Sequence, residues 1–343
     1  MGGMTPSPSD APNPQQVMAM LSASQQTAAL VAAIQLDMFT ALSDGPLTAA
    51  ALGKKIGAAE RGTRSLADYL CIPGLLHKQE DRYSLSPTAQ VFLNRRSPAA
   101  IADAAGWWDF IAQQTSPERM LAVVRAGGNV EGIAPPEAWV IFARSMGVIA
   151  RLPARVIAEK IAAPLLAQGG KVLDVAGGHG EYGIAVARQS PKADVTILDG
   201  APVLAVAREN ADKAGLGARY HTLAGSIIPG SEGEVELKPE YNLILVTGFL
   251  HMFSARTNQA IMAKVKRALA PGGAVIVEDF IPNPDRISPP MAAAFSLTML
   301  FGTAEGDSYT EAEFRQMFTA AGFSRFERHQ LNELPMSAML LRP

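Results

Sequence analysis

The sequence predicts an α/β chain: a doubly wound, Rossmann-like parallel sheet in the C-terminal half, preceded by a mainly helical N-terminal part. Three observations predict it. From about Gln168 onward, short apolar runs alternate with amphipathic ones, the pattern of repeated βα units. The run Val172–Ala176 leads into the glycine-rich turn Gly177-Gly178-His179-Gly180, which is how a strand hands over to a helix beside a nucleoside ligand. Between about Pro14 and Ala163, by contrast, the segments read as helical.

Taken in order, residues 1–14 are rich in Pro, Ser and Gly and lack the charged and apolar regions of a signal peptide, so a disordered tail is expected. Val17–Leu42 carries dense apolar residues and is stopped by Gly45-Pro46. Thr48–Ile56 and Glu60–Leu70 read as short helices, and Gly74-Leu75-Leu76 leads through a turn at Glu80-Asp81 into the strand Arg82–Leu85. Helices followed by a small wing suggest a winged helix-turn-helix module over residues 15–100. Its second helix offers Glu60, Arg61, Arg64 and Asp68, a balanced set where a phosphate-tracking surface would be basic. Dimerisation is therefore the expected role, and DNA binding is not. Residues 101–163 read as linking helices that contribute to an acceptor pocket, and residues 164–343 as the ligand-binding catalytic domain.

In that last part the strands are Val172–Ala176, Val195–Leu198, Arg219–Ala224, Leu243–Thr247 and Ala274–Glu278. The helix Asn258–Leu269 sets Ile261, Val265 and Leu269 on one face and is stopped by Pro271-Gly272-Gly273. After the helix Glu311–Ala321, Arg325–Gln330 and Ser337–Leu341 lie close enough to pair as an antiparallel hairpin.

Composition narrows the function classes. The chain has 343 residues, 48% hydrophobic and 18% charged, enough for a sizeable core. A net charge of −2 and a pI near 6.2 argue against partners held by bulk electrostatics, such as nucleic acid or an anionic membrane. Cys71 is the single cysteine, which excludes an intramolecular disulfide and fits a reducing cytoplasm. No apolar run approaches the roughly 18 residues of a membrane span.

The glycine turn has two readings. Gly178-x-Gly180-x-x-Gly183 matches the dinucleotide fingerprint, so an NAD(P) enzyme stays open. Asp174, however, places a carboxylate at the end of the first strand, where it would repel a pyrophosphate and attract the ammonium of a methionine moiety. Asp199, about 20 residues beyond the turn, is placed to accept ribose hydroxyls. Together they favour S-adenosylmethionine (SAM). His77, His179, His221 and His329 lack metal-ligand spacing, so no metal is expected.

From about residue 20 to 341 the chain resembles the small-molecule O-methyltransferases, the family of plant caffeic acid and flavonoid enzymes and bacterial polyketide-tailoring enzymes. The resemblance rests on Asp174–Gly180, Leu198-Asp199, Phe249–Phe253 and Leu269–Glu278. It implies a class I SAM methyltransferase sheet ending in an antiparallel hairpin, behind an N-terminal winged-helix domain through which two copies form a homodimer. It implies that Asp174, Gly177, Gly178 and Gly180 form the methionine-binding turn and that Asp199 holds the ribose. Gly225-Ser226-Ile227 falls on the adenine site, where the family has a Gly-Asp pair; the Ser226 hydroxyl replaces that carboxylate as acceptor. His251 falls on the general base, Glu278 on the first of two carboxylates that orient it, and Ser308 on the second. The family triplet His-Asp-Trp reads His251-Met252-Phe253, which keeps Phe253 as an aromatic wall of the donor site. Phe142 and Met146 match a helix over donor and acceptor. Met291, Phe295 and Met299, spaced one helical turn apart, add a flexible apolar face to the acceptor pocket.

The implied reaction is methyl transfer from SAM to a hydroxyl of an aromatic or polyketide-like small molecule. A C- or N-methyltransferase or another SAM-assisted reaction on the same fold, and a winged-helix regulator sensing a nucleoside, are the alternatives.

Overall fold

A computed structural model describes residues 12–129, 136–331 and 334–343. The expected tail lies outside them up to residue 11; from Pro14 the chain is already helical, with Asn13 accepting the Gln15 N–H as N-cap. The chain divides into two compact units, one ending at Gln113 and the other beginning at Gln114.

The first unit contains α1 (Pro14–Gln35), α2 (Met38–Ala41), β1 (Leu47–Thr48), α3 (Ala49–Ile56), α4 (Glu60–Cys71), β2 (Leu76–Gln79), β3 (Arg82–Leu85), α5 (Pro87–Phe92) and α6 (Ala105–Gln114). Two helices followed by a hairpin is the order expected, with β1 adding a third strand beside β3. The single helix expected over Val17–Leu42 is broken, because Asp37 adopts a left-handed φ of 55° between α1 and α2. Thr48 and Ser86 cap α3 and α5, and Gly57, left-handed at φ 69°, ends α3. Met38, Phe39, Leu52, Leu70, Leu76 and Tyr83 form the core. The Tyr83 hydroxyl reaches out of it to donate to Asp68 at 2.6 Å.

Mean hydropathy, as distinct from unbroken apolar runs, singles out α1. Its 22 residues are long and apolar enough, by length and composition, to cross a membrane. Ser22, Ser24, Gln25 and Gln26 interrupt its apolar residues. Val17, Met18, Met20 and Leu21 are all more than half exposed, so this stretch of α1 is uncovered in the single chain.

The second unit begins with α7 (Pro117–Ala126) and α8 (Pro136–Ile157), which runs through a π-turn at Ala158–Ala162 into α9 (Ala163–Leu165). Strands and helices then alternate: β4 (Gly170–Val175), α10 (Glu181–Gln189), β5 (Ala193–Asp199), α11 (Ala201–Lys213), β6 (Tyr220–Ala224), β7 (Tyr241–Thr247), α12 (Ala255–Arg267), β8 (Leu269–Asp279), α13 (Pro290–Gly302), α14 (Glu311–Ala320), β9 (Arg325–Gln330) and β10 (Ser337–Arg342). The seven strands lie in the order β6-β5-β4-β7-β8-β10-β9. All are parallel from β6 to β8; β10 is antiparallel to β8 and to β9, as the closing hairpin predicted.

Strand alternation sends side chains to two cores, one on each face. Val172, Leu243, Leu245, Ala274 and Ile276 pack with Tyr182 and Ile184 of α10. Leu173, Val175, Ile244, Val275 and Val277 pack with Ile261 and Val265 of α12 and with Phe314 and Phe318 of α14. This assignment of faces decides which side chains meet at the strand ends.

Candidate active site at the carboxyl edge of the sheet

The turn after β4 is shaped around a buried acid. Asp174 shares its face of β4 with Val172 and so points at α10, where its Oδ2 accepts the Gly183 N–H at 3.0 Å. A Cβ on Gly177 would fall 2.8 Å from Asp174 Cγ and 2.7 Å from Ile197 Cδ1, and one on Gly183 would fall 2.9 Å from Asp174 Oδ2. Two of the motif's glycines therefore make room for this side chain. Gly178 and Gly180 serve differently, with left-handed φ of 57° and 77°. Asp174 is completely buried, its Oδ1 finds no partner among the described residues, and burial pushes its pKa up to about 7. This differs from the sequence reading: Asp174 lies beneath the turn and not on the wall of an open crevice. It anchors the first turn of α10 beneath the glycines.

Asp199, at the end of β5, does face a cavity of about 540 Å³. Its Oδ2 accepts the Gly178 N–H at 2.9 Å and its Oδ1 accepts the Gly200 N–H at 2.7 Å. Each oxygen keeps a further lone pair for a ligand hydroxyl. Burial raises its pKa, against the lowering by these two N–H groups. Gly225, Ser226 and Ile227 line the same cavity at the end of β6. Gly225 has φ 151°, and a Cβ there would strike Val235 Cγ1 at 2.3 Å. The aromatic wall is Phe249, a residue missed in the sequence, while the expected Phe253 packs edge-on behind it at 4.9 Å and does not line the cavity. A Cβ on Gly178 would meet nothing nearer than 4.0 Å, so the turn leaves space beside the acid. Isoleucine after β6, carboxylate at the end of β5, open turn after β4 and aromatic wall after β7, in sheet order, fit a nucleoside.

The second cluster sits at the ends of β7 and β8. His251, in a short 3₁₀ turn after β7, is buried, and its Nδ1 lies 2.7 Å from Asp279 Oδ1. The Asp279 carboxylate also accepts the His251 N–H at 3.2 Å and the Phe280 N–H at 2.8 Å. The expected partner, Glu278, is not on the histidine. Glu278 shares a face with Ala274 and Ile276 and turns to α10, where it meets the Tyr182 hydroxyl; Asp279 takes the opposite face. Buried beside Asp279, Glu278 has its pKa pushed up to about 8. Ser308, at the second expected carboxylate, is fully buried with its hydroxyl unpartnered among the described residues.

The predicted acceptor residues separate. Phe295 of α13 meets the His251 ring edge-on at 4.8 Å and stacks on Phe280 at 4.0 Å. Met299 is buried, but Met291 is 63% exposed, so the expected stripe is not one continuous wall. Phe142 and Met146 lie half-buried on α8, whose Gly147 passes the turn closely: a Cβ there would sit 3.2 Å from His179 Cβ. Among the described residues, no group of His, Cys, Asp and Glu could hold a metal ion.

Sequence comparison decides between the uses of such an edge. The profile of the O-methyltransferase domain matches residues 134–324, and that of the O-methyltransferase dimerisation domain matches residues 18–95. The chain belongs to the O-methyltransferase family. It is 28% identical over 322 residues to the tetracenomycin polyketide synthesis 8-O-methyl transferase of Streptomyces glaucescens, covering 91% of each chain. With mouse acetylserotonin O-methyltransferase the identity is 30% over 335 residues, covering 86% of this chain and 80% of the other. The crystal structure of a Nostoc punctiforme protein assigned as an O-methyltransferase superposes with a TM-score of 0.89 at 40% identity, covering 97% of this chain and 99% of that one. The chain is thus a methyltransferase, and the dinucleotide reading of the glycine turn is set aside.

Proposed function

We propose that this O-methyltransferase takes its methyl group from SAM and delivers it to a hydroxyl of an aromatic or polyketide-like small molecule. Asp199 accepts the ribose hydroxyls, and Ile227 and Phe249 flank the adenine; the turn of Gly177, Gly178 and Gly180, held to Asp199 through the Gly178 N–H, backs the methionine end. When bound, the sulfonium supplies an electrophilic methyl group for in-line displacement.

The protein's own chemistry lies in His251 and Asp279. A carboxylate can only accept, so the 2.7 Å contact fixes the proton on Nδ1 and leaves the lone pair on Nε2. Nε2 takes the acceptor's proton. Between a free phenol of pKa about 10 and a free imidazole of about 6.5, complete prior transfer is uphill by about 5 kcal/mol. The proton therefore moves as the methyl does, and Asp279 steadies the imidazolium that forms. Phe295, backed by Phe280, covers the histidine with apolar surface, which keeps water from an encounter of opposite charges. The same flat wall suits an aromatic acceptor, in keeping with relatives that act in tetracenomycin polyketide synthesis and on acetylserotonin.

The uncovered Met18, Met20 and Leu21 of α1, inside the segment matched by the dimerisation profile, support a homodimer through the first unit. A lone, partly buried cysteine whose pKa is raised by burial suits a cytoplasmic enzyme.

The observation that carries this reading is the buried His251–Asp279 pair at the strand ends next to β4–β6. Incubation with SAM labelled in the methyl group and a panel of hydroxylated naphthoates and indoles tests it. Products that gain one label as a methoxy group, located by NMR, are expected; label on carbon or nitrogen, or none, overturns it.

A further inference from the structure

We infer that Glu232 accepts the exocyclic amine of the donor's adenine, replacing the carboxylate that position 226 lacks; this rests on SAM being the donor. Ser226 is already occupied within its own loop. Its Oγ accepts the Ile228 N–H at 3.1 Å and is hydrogen-bonded to Ser231 Oγ at 2.8 Å. The loop closes on itself, with the Ser226 N–H donating to Gly233 O at 2.8 Å and the Val235 N–H to Ser226 O at 2.9 Å. It is also pinned from outside. Glu234 accepts the Gly230 N–H at 2.7 Å and, on its other oxygen, the Lys264 amine of α12, a side chain only 4% exposed. A pinned loop has a fixed apex.

That apex puts Glu232 on the cavity wall, where Glu232 and Asp199 are the two lining carboxylates. Asp199 belongs to the end of β5 and the ribose; the base lies beyond it, toward β6 and Ile227. A purine amine at that rim presents N–H donors, and Glu232, which has no hydrogen bond or ion pair among the described residues, is an acceptor without a partner. Ser231 and Glu234 of the loop and Lys264 of α12 are thus positioning residues for Glu232, which touches the ligand.

Calorimetric titration with S-adenosylhomocysteine, which is free of the sulfonium charge, and with S-inosylhomocysteine, in which a carbonyl oxygen replaces the amine, tests this. The wild type should prefer the adenosine compound by about tenfold or more, the effect of one charge-assisted hydrogen bond. Glu232→Ala should lose about that factor for the adenosine compound and bind the two nearly alike. Glu232→Gln, whose amide can donate to the carbonyl, should gain affinity for the inosine compound. If the wild type takes up S-adenosylhomocysteine but Glu232→Ala binds both compounds with wild-type affinities, the assignment is wrong while the donor stands. If the wild type takes up neither, the donor reading fails and this inference falls with it.

Discussion

At the ends of β4, β5 and β6 the site is built largely of backbone: glycines with left-handed φ, amide groups held by Asp199, and a loop tied to itself. At the ends of β7 and β8 it is built of side chains in a chain of contacts, Asp279 on His251, His251 on Phe295 and Phe295 on Phe280. The two halves should therefore fail in different ways. In the donor half, a Cβ added at Gly177 or loss of the Asp199 carboxylate should disturb folding or binding; in the proton half, a changed protonation state should slow turnover.

The largest effect expected from that contrast is chemical. Asp279→Asn should lower turnover by about 10²-fold or more, because an amide no longer fixes the Nδ1–H tautomer. Glu278→Gln, one residue away on the other face, should stay within a few fold, and equal losses would erase the distinction between the two faces. Next comes Asp199→Ala, expected to weaken S-adenosylhomocysteine binding by about 1.5–3 kcal/mol on loss of charge-assisted hydrogen bonds, read by calorimetry. Gly177→Ala should follow, costing about 1–3 kcal/mol in denaturant unfolding as the new Cβ meets Asp174 and Ile197.

A smaller signature is pH dependence. Glu278 keeps its proton up to about 8 in the fold against 4.5 for a free glutamate, and Asp174 up to about 7 against 3.8 for a free aspartate. The folded state binds the extra protons, so stability should fall as pH rises from the lower values toward the upper ones. Glu278→Gln cannot titrate and should flatten the decline of melting temperature between about pH 5 and about pH 8. The smallest effect is reserved for Ser308→Ala. Its buried hydroxyl has no partner among the described residues, so stability should move by no more than about 0.5 kcal/mol, or rise.

Backbone-built features were also the legible ones. Glycine spacing, the acid beyond the second strand and the period of the closing hairpin announce the sheet and the donor turn, because special φ values and strand alternation restrict residue choice directly. Side-chain partnership was harder. Glu278 and Asp279 are neighbours at a strand end, and only the packing of Ala274 and Ile276 against α10 says which turns toward His251. Phe249 and Phe253 flank the same turn, and their order in depth comes from tertiary contact. Asp174 was legible as an acid in the right place, but its complete burial follows from α10 lying over it.

The account's central claim is that donor binding and proton removal reside in separable halves of one edge. His251→Ala measures both at once. The variant should bind S-adenosylhomocysteine within about twofold of wild type yet turn over at least about 10²-fold more slowly with a hydroxylated aromatic acceptor. Turnover near the wild-type rate, with binding intact, would contradict it.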